Sequence, residues 1–204
     1  MERPTAFIDL EGVLFPEMWP AIAQTIGDPA LEVTTRDVAD YGALMDRRLR
    51  LLRANGVTLA DVQGIVGGLK PLPGAVAFIE ALSALADLVI VTDSFAPMNA
   101  AALAHFPVGR VFTNHLVTDH AGFASECIYW HKGQGKARVY DAVPGTGPIF
   151  AMGDGFNDLE MLRRADVGIL FAPSEATRRS AAQLPVLLQL DHALARFSEF
   201  APVP

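Results

Sequence analysis

Ala6-Phe7-Ile8-Asp9-Leu10-Glu11-Gly12 is an apolar run of strand length that ends on two carboxylates and a glycine. The design recurs far along the chain, where Ile149-Phe150-Ala151-Met152 ends on Gly153-Asp154-Gly155-Phe156-Asn157-Asp158. Carboxylates delivered to the ends of strands are where an open α/β sheet carries its chemistry. Further strand-like runs lie at Leu88 to Val91, Val167 to Phe171 and Val186 to Leu188, with helical periodicity between them. The alternation predicts an α/β fold, a mostly parallel sheet with helices on both faces.

The distance from Glu11 to Leu88 is too great for a simple crossover. It holds helical stretches at Pro16 to Ile26, Arg36 to Arg53, Leu59 to Val66 and Pro73 to Leu85. With the last as the crossover, residues 14–70 are expected to form a small helical cap inserted after the first strand, and 1–13 and 71–204 the core. Gly67-Gly68 and Pro71-Leu72-Pro73-Gly74 suit hinge or return-linker elements, or ordinary turns. Between Gly109 and Lys136, Phe112, His115, Val117 and Phe123 keep no single period, so a short hairpin or an irregular loop is expected. Leu190 to Phe200 reads as a modest helix, and Ala201 to Pro204 as a frayed tail.

Composition narrows the function classes. A 51% hydrophobic chain of 204 residues supports a packed core and rules out a disordered reading. Its net charge of -7, from 23 acidic and 16 basic residues without a basic cluster, opposes binding to nucleic-acid phosphates. One cysteine, Cys127, can make no internal disulfide and has no zinc-site neighbours. No apolar run approaches the roughly 18 residues of a membrane span. A cytoplasmic protein without nucleic-acid or membrane partners is expected.

Asp9, at a strand end, can attack phosphorus, hold a divalent cation, or use one oxygen for each. Glu11 can move the leaving-group proton if burial or a neighbouring charge raises its pKa toward neutrality. Two acids alone also suit a solvated turn; the second cluster weighs against that. Asp154 supplies a hard oxygen for Mg²⁺, Asn157 can cap a helix or support the coordination shell, and Asp158 can bind a metal water or orient a basic group such as Lys136. Thr92, followed by Asp93 and Ser94, offers hydroxyl and backbone N–H groups to phosphate, although Ser94 also suits a helix cap. Lys136 can neutralise the transferring group, and Lys132 competes for that role. Arg48 falls on the apolar Tyr41, Met45, Leu52 stripe, where a guanidinium needs an anion or a cleft edge. Glu17 can read a substrate ammonium or simply favour a helix N-terminus. The five histidines lack compact ligand spacing and read as solvent, cap or packing residues.

With these residues in place, the chain resembles the haloacid dehalogenase superfamily. Asp9-Leu10-Glu11-Gly12 matches its first acidic motif with Glu in place of the second Asp. Thr92 matches the hydroxyl motif, Lys136 the basic one, and Asp154 with Asp158 the last. Asp9 to Glu17, Thr34-Thr35-Arg36-Asp37, Leu44 to Leu52 and Leu69-Lys70-Pro71-Leu72 resemble the small-capped phosphoserine phosphatases, including the bifunctional group that transfers phosphate from phosphoserine to homoserine. Glu11, Gly12 and Asp93 also occur in that group, whereas Ala124 to Gly135 departs from it. The resemblance implies a Rossmann-like core and a Mg²⁺-dependent phosphatase acting through phosphorylated Asp9. Glu11 would be acid/base and carbonyl ligand to the metal, and Asp154 the remaining metal ligand. Thr92 and Lys136 would hold phosphate, while Glu17 and Arg48 read a small phosphorylated amino acid. It also implies a homodimer. Competing readings are a phosphatase of another small phosphomonoester and a non-catalytic phosphate-responsive binder.

Overall fold

The structure is a computed structural model and describes residues 2–33, 40–144, 147–181 and 183–200. Seven strands form one sheet: β1 (Thr5–Ile8), β2 (Asp87–Ala96), β3 (Arg110–Thr118), β4 (Ala124–Ile128), β5 (Ile149–Gly153), β6 (Val167–Phe171) and β7 (Val186–Leu187), in the order β4-β3-β2-β1-β5-β6-β7. Every pairing is parallel except β3 with β4. Central β1 lies between β2 and β5, with Ile8 opposite both Ile90 and Met152. Asp9 and Asp154 therefore leave the sheet on the same edge.

Alternation along the central strands explains why they read as continuous apolar runs. Ala6, Ile8, Ile90, Phe150 and Met152 pack to one face, while Phe7, Val89, Val91 and Ala151 pack to the other. Both faces are covered, as a parallel sheet requires. The first face lies under α4 (Ala75–Leu85) and α9 (Leu190–Ser198), the second under α6 (Val139–Ala142) and α7 (Leu159–Arg164). Short helices α5 (Ala100–Leu103) and α8 (Glu175–Ser180) complete the connections.

Between β1 and α4 lie α1 (Met18–Ile26), α2 (Tyr41–Ala54) and α3 (Leu59–Gly67), the small helical cap. Asp40 starts α2 by accepting the Ala43 N–H, and Thr58 with Asp61 forms a reciprocal capping box on α3. The expected start of α2 at Arg36 and the Thr34-Thr35-Arg36-Asp37 resemblance lie outside the described residues, as does the expected tail. Where the chain returns from the cap, the Leu72 N–H donates to the Leu14 carbonyl at 2.9 Å, tying the two crossing strands of chain together.

The segment from Gly109 to Lys136 holds more order than its sequence pattern suggests. It contains a hairpin, β3 with β4, and β3 is also a parallel member of the main sheet. A register shift between Val91 and Phe95 on β2, and half-burial along β3, break the period that identifies a strand. No described helix is long and apolar enough to cross a membrane.

Candidate active site

The carboxyl ends of β1, β2 and β5 open into a cavity of about 710 Å³ whose opposite wall comes from the cap. Asp9, Glu11, Thr92, Asp93, Lys136, Asp154 and Asn157 line it from the core side; Glu17, Trp19, Tyr41 and Arg48 line it from the cap.

Its centre is an ionic cluster. Asp9, Asp154 and Asp158 each place a carboxylate oxygen within 4.8 Å of the others. Buried Lys136 lies 2.7 Å from Asp9 Oδ1 and 2.7 Å from Asp158 Oδ1. Exposed Lys132, the competing lysine, is not on the cavity wall. Asp158 is wholly buried, and its Oδ2 accepts the backbone N–H groups of Asp154 at 3.1 Å and Gly155 at 2.9 Å. It thus shapes the loop that presents Asp154 while anchoring the lysine. Two glycines make this packing possible. Gly12 has φ +77°, and a Cβ on it would overlap the Asp154 carboxylate; a Cβ on Gly153 would overlap Asp158.

The charges in this cluster do not balance internally. Burial, with Asp158 and Asp154 nearby, raises the Asp9 pKa against the pull of Lys136. Burial and Asp158 push Asp154 up to about 7. Burial lowers the Lys136 pKa, but Asp158 and Asp9 outweigh it and hold the ammonium charged. Three carboxylates against one ammonium leave an excess of negative charge on hard oxygen donors. That donor set fits Mg²⁺, which takes carboxylates and retains water, and does not fit a thiophilic metal. With Asp158 committed to Lys136 and two amides, Asp9 and Asp154 are the carboxylates left for the cation. The Glu11 carbonyl accepts no hydrogen bond among the described residues.

Glu11 Oε1 accepts the Met18 N–H at 2.8 Å, which fixes the carboxyl against the start of α1. Burial, then the charge of Glu17, pushes its pKa up to about 8. A group so placed holds a proton near neutrality and can give it up.

Thr92 is buried at the cavity edge, its hydroxyl bonded at 3.0 Å to Ser94 Oγ and accepting the Ser94 N–H. Ser94 corrects the sequence expectation of a substrate contact. It does not line the cavity; its Oγ accepts from Thr92 and Asn99, because these buried polar groups require partners behind the strand. Asp93 lines the cavity, with Oδ2 held by Asn157 Nδ2 at 2.7 Å and its carbonyl by Tyr41 and Asn114. On the cap, the Arg48 guanidinium stacks 4.3 Å from the Trp19 ring centroid and donates to the Val33 carbonyl, while its buried Nε has no partner among the described residues. Glu17, at the start of α1, makes no capping bond with its side chain. The apolar-stripe argument for Arg48 thus leads to a guanidinium with an unmet donor beside the cavity.

Sequence reasoning missed His131 and Tyr41 as cavity walls, while Trp19, readable from sequence as either core or cleft wall, lines the cavity. For His131 the usable signal was its spacing from Gly133 and Gly135, just before Lys136. Tyr41 carries no sequence mark that separates it from core aromatics.

A model of the haloacid dehalogenase-like hydrolases matches residues 4–166. The chain is 35% identical to a phosphoserine phosphatase of Pseudomonas syringae pv. tomato over 94% of its own length and 81% of that protein. It is also 35% identical to phosphoserine phosphatase ThrH of Pseudomonas aeruginosa, with 89% of each chain covered. Among solved structures, a phosphoserine phosphatase from T. onnurineus superposes with a TM-score of 0.76 at 21% identity, covering 98% of this chain and 96% of that one.

Proposed function

The chain belongs to the haloacid dehalogenase-like hydrolases, and from that premise we propose that it is a Mg²⁺-dependent phosphoserine phosphatase whose nucleophile is Asp9. The observation that carries the reading is the placement of Lys136 between Asp9 and Asp158, in a cavity whose far wall presents Arg48 and Glu17. The names of the two Pseudomonas relatives support the same substrate.

Arg48 and Glu17 bind the substrate carboxylate and ammonium, which aims the phosphate toward Thr92 and Lys136. Lys136 offsets the repulsion between phosphate and the Asp9 carboxylate. Mg²⁺ held by Asp9, Asp154 and the Glu11 carbonyl supplies further neutralisation of phosphate charge when bound. An Asp9 oxygen forms a bond to phosphorus as the phosphorus–serine oxygen bond breaks, and the Glu11 proton passes to that oxygen. Glu11, now a carboxylate, takes a proton from water as the water oxygen attacks phosphorus. Phosphate leaves and Asp9 is restored. Homoserine in place of water gives phosphoryl transfer, the bifunctional variant of the same cycle. A homodimer and a cytoplasmic location complete the proposal.

The test is a Mg²⁺-dependent assay with L-phosphoserine, with and without homoserine, following released phosphate and phosphohomoserine separately. Phosphate release that is lost in Asp9→Asn and on chelation is expected. Undiminished turnover by Asp9→Asn would overturn the nucleophile, and turnover of other phosphomonoesters alone would overturn the substrate.

A further inference from the structure

His131 stands on the cavity wall yet takes no part in the steps above. It follows β4, its side chain is mostly buried, and its two ring nitrogens face different segments. Nδ1 accepts the backbone N–H of Gly133 at 3.1 Å and of Gly135 at 3.3 Å. Nε2 lies 3.5 Å from Asp93 Oδ1, a buried oxygen that accepts no hydrogen bond among the described residues and has this ring edge as its polar neighbour. A ring nitrogen that accepts two N–H groups carries no hydrogen itself, so the neutral imidazole has its hydrogen on Nε2, the nitrogen nearer to Asp93.

The two segments are the ones that build the phosphate site. Asp93 follows Thr92 on β2. The loop on the other side passes through Lys132 at φ +50°, Gly133 at +81° and Gly135 at +71°, and delivers Lys136 to Asp9. This curl turns two amides onto one nitrogen, and the ring joins the curl to the strand.

We propose that His131 is a positioning residue, an Nε2–H imidazole that clamps the Lys136 loop to Asp93 and so sets the lysine against the phosphate-binding edge of β2. The proposal rests on the phosphatase reading only for what is positioned. Nδ1 fixes the loop, and Nε2, with Asn157 on the other carboxylate oxygen, keeps the Asp93 side chain in place on the cavity wall.

Three substitutions separate these contacts. His131→Asn places an acceptor near the Nδ1 position and lacks the reach to Asp93; His131→Gln offers a distal donor and lacks the near acceptor; His131→Ala has neither. With p-nitrophenyl phosphate and L-phosphoserine as parallel substrates, His131→Ala should lower kcat about 10–100-fold, the usual effect of losing a group that orients the reacting shell. KM for phosphoserine should stay nearly constant, because Arg48 and Glu17 are untouched. Asn and Gln should each recover part of kcat, and His120→Gln, on the exposed hairpin turn, should match the parent protein. A kcat for His131→Ala within about twofold of the parent would overturn the clamp. Equal losses in all three variants with equal drops in melting temperature would reduce His131 to a packing residue and overturn it as well. Nitrogen NMR shifts of the His131 ring supply a readout independent of turnover: the Nε2–H tautomer supports the proposal, and Nδ1–H refutes it. Hydrolysis of p-nitrophenyl phosphate without hydrolysis of phosphoserine would refute the substrate reading, leaving the clamp to be judged on the first ester.

Discussion

Asp158→Asn isolates the anchoring of Lys136 with almost no change of shape. In the parent protein Asp158 Oδ1 faces Lys136 Nζ at 2.7 Å, and Oδ2 accepts two backbone N–H groups. The amide can keep its oxygen toward the backbone donors only by turning its NH₂ toward the ammonium. One buried charged hydrogen bond is then lost, about 1.5–3 kcal/mol. Because Lys136 keeps Asp9 as a partner, the loss should fall short of the roughly 3–5 kcal/mol of a fully broken buried pair. A destabilisation of about 2–3 kcal/mol is therefore expected, read from urea unfolding with chelator present as a lower midpoint at unchanged slope. The kcat should fall about 10–100-fold, since the lysine no longer has a fixed position. Asp158→Ala also strands the Asp154 and Gly155 amides and should cost about 1–3 kcal/mol more. Stability of Asp158→Asn within about 0.5 kcal/mol of the parent, or Ala no worse than Asn, would refute the assignment of Asp158 as the anchor.

Gly12→Ala puts a methyl group where the Asp154 carboxylate sits, at a backbone φ of +77°; calorimetric Mg²⁺ affinity should fall at least about tenfold while the fold survives. Arg48→Lys loses the planar stack on Trp19 and the forked donor, so KM for phosphoserine should rise about 10–100-fold with kcat little changed, as steady-state kinetics would show. Without cation, the folded protein holds the Glu11 pKa at about 8 against an ordinary 4.5 and Asp154 at about 7 against 3.8. Both are raised, so their contribution to stability is complete below the ordinary carboxylate range and is lost as pH rises through about 7 to 8. Thermal melts in chelator should fall across that interval, and Glu11→Gln should flatten the fall.

The central fold was legible because β1, β5 and β6 are buried on both faces, and such strands appear in sequence as unbroken apolar runs. Acids at strand ends with glycine close by marked Asp9 and Asp154, and an arginine on an apolar helix stripe marked Arg48. The hairpin expected between Gly109 and Lys136 is formed by β3 and β4, but the place of β3 in the main sheet was hidden because it is half-buried and paired through a bulge, so neither alternation nor a continuous run survives in Phe112 to Val117. Ser94 misled because a hydroxyl next to a phosphate strand looks the same whether it faces the cavity or supports Asn99 behind it. His131 escaped because its partners are the backbone amides of a curled loop and a carboxylate from another strand, and one-dimensional spacing records neither.

The position of β1 in the middle of the sheet also bears on biosynthesis. β1, which precedes the other six strands of the sheet, hydrogen-bonds on one side to Asp87 through Ile90 and on the other to Ile149 through Met152. One edge can close once β2 follows, but the other stays open until β5 has been translated, and closing so distant a pairing makes assembly slow. A premature stop anywhere ahead of Gly153 would release a chain with an unpaired apolar edge and half of its acidic centre, a target for chaperones and proteases.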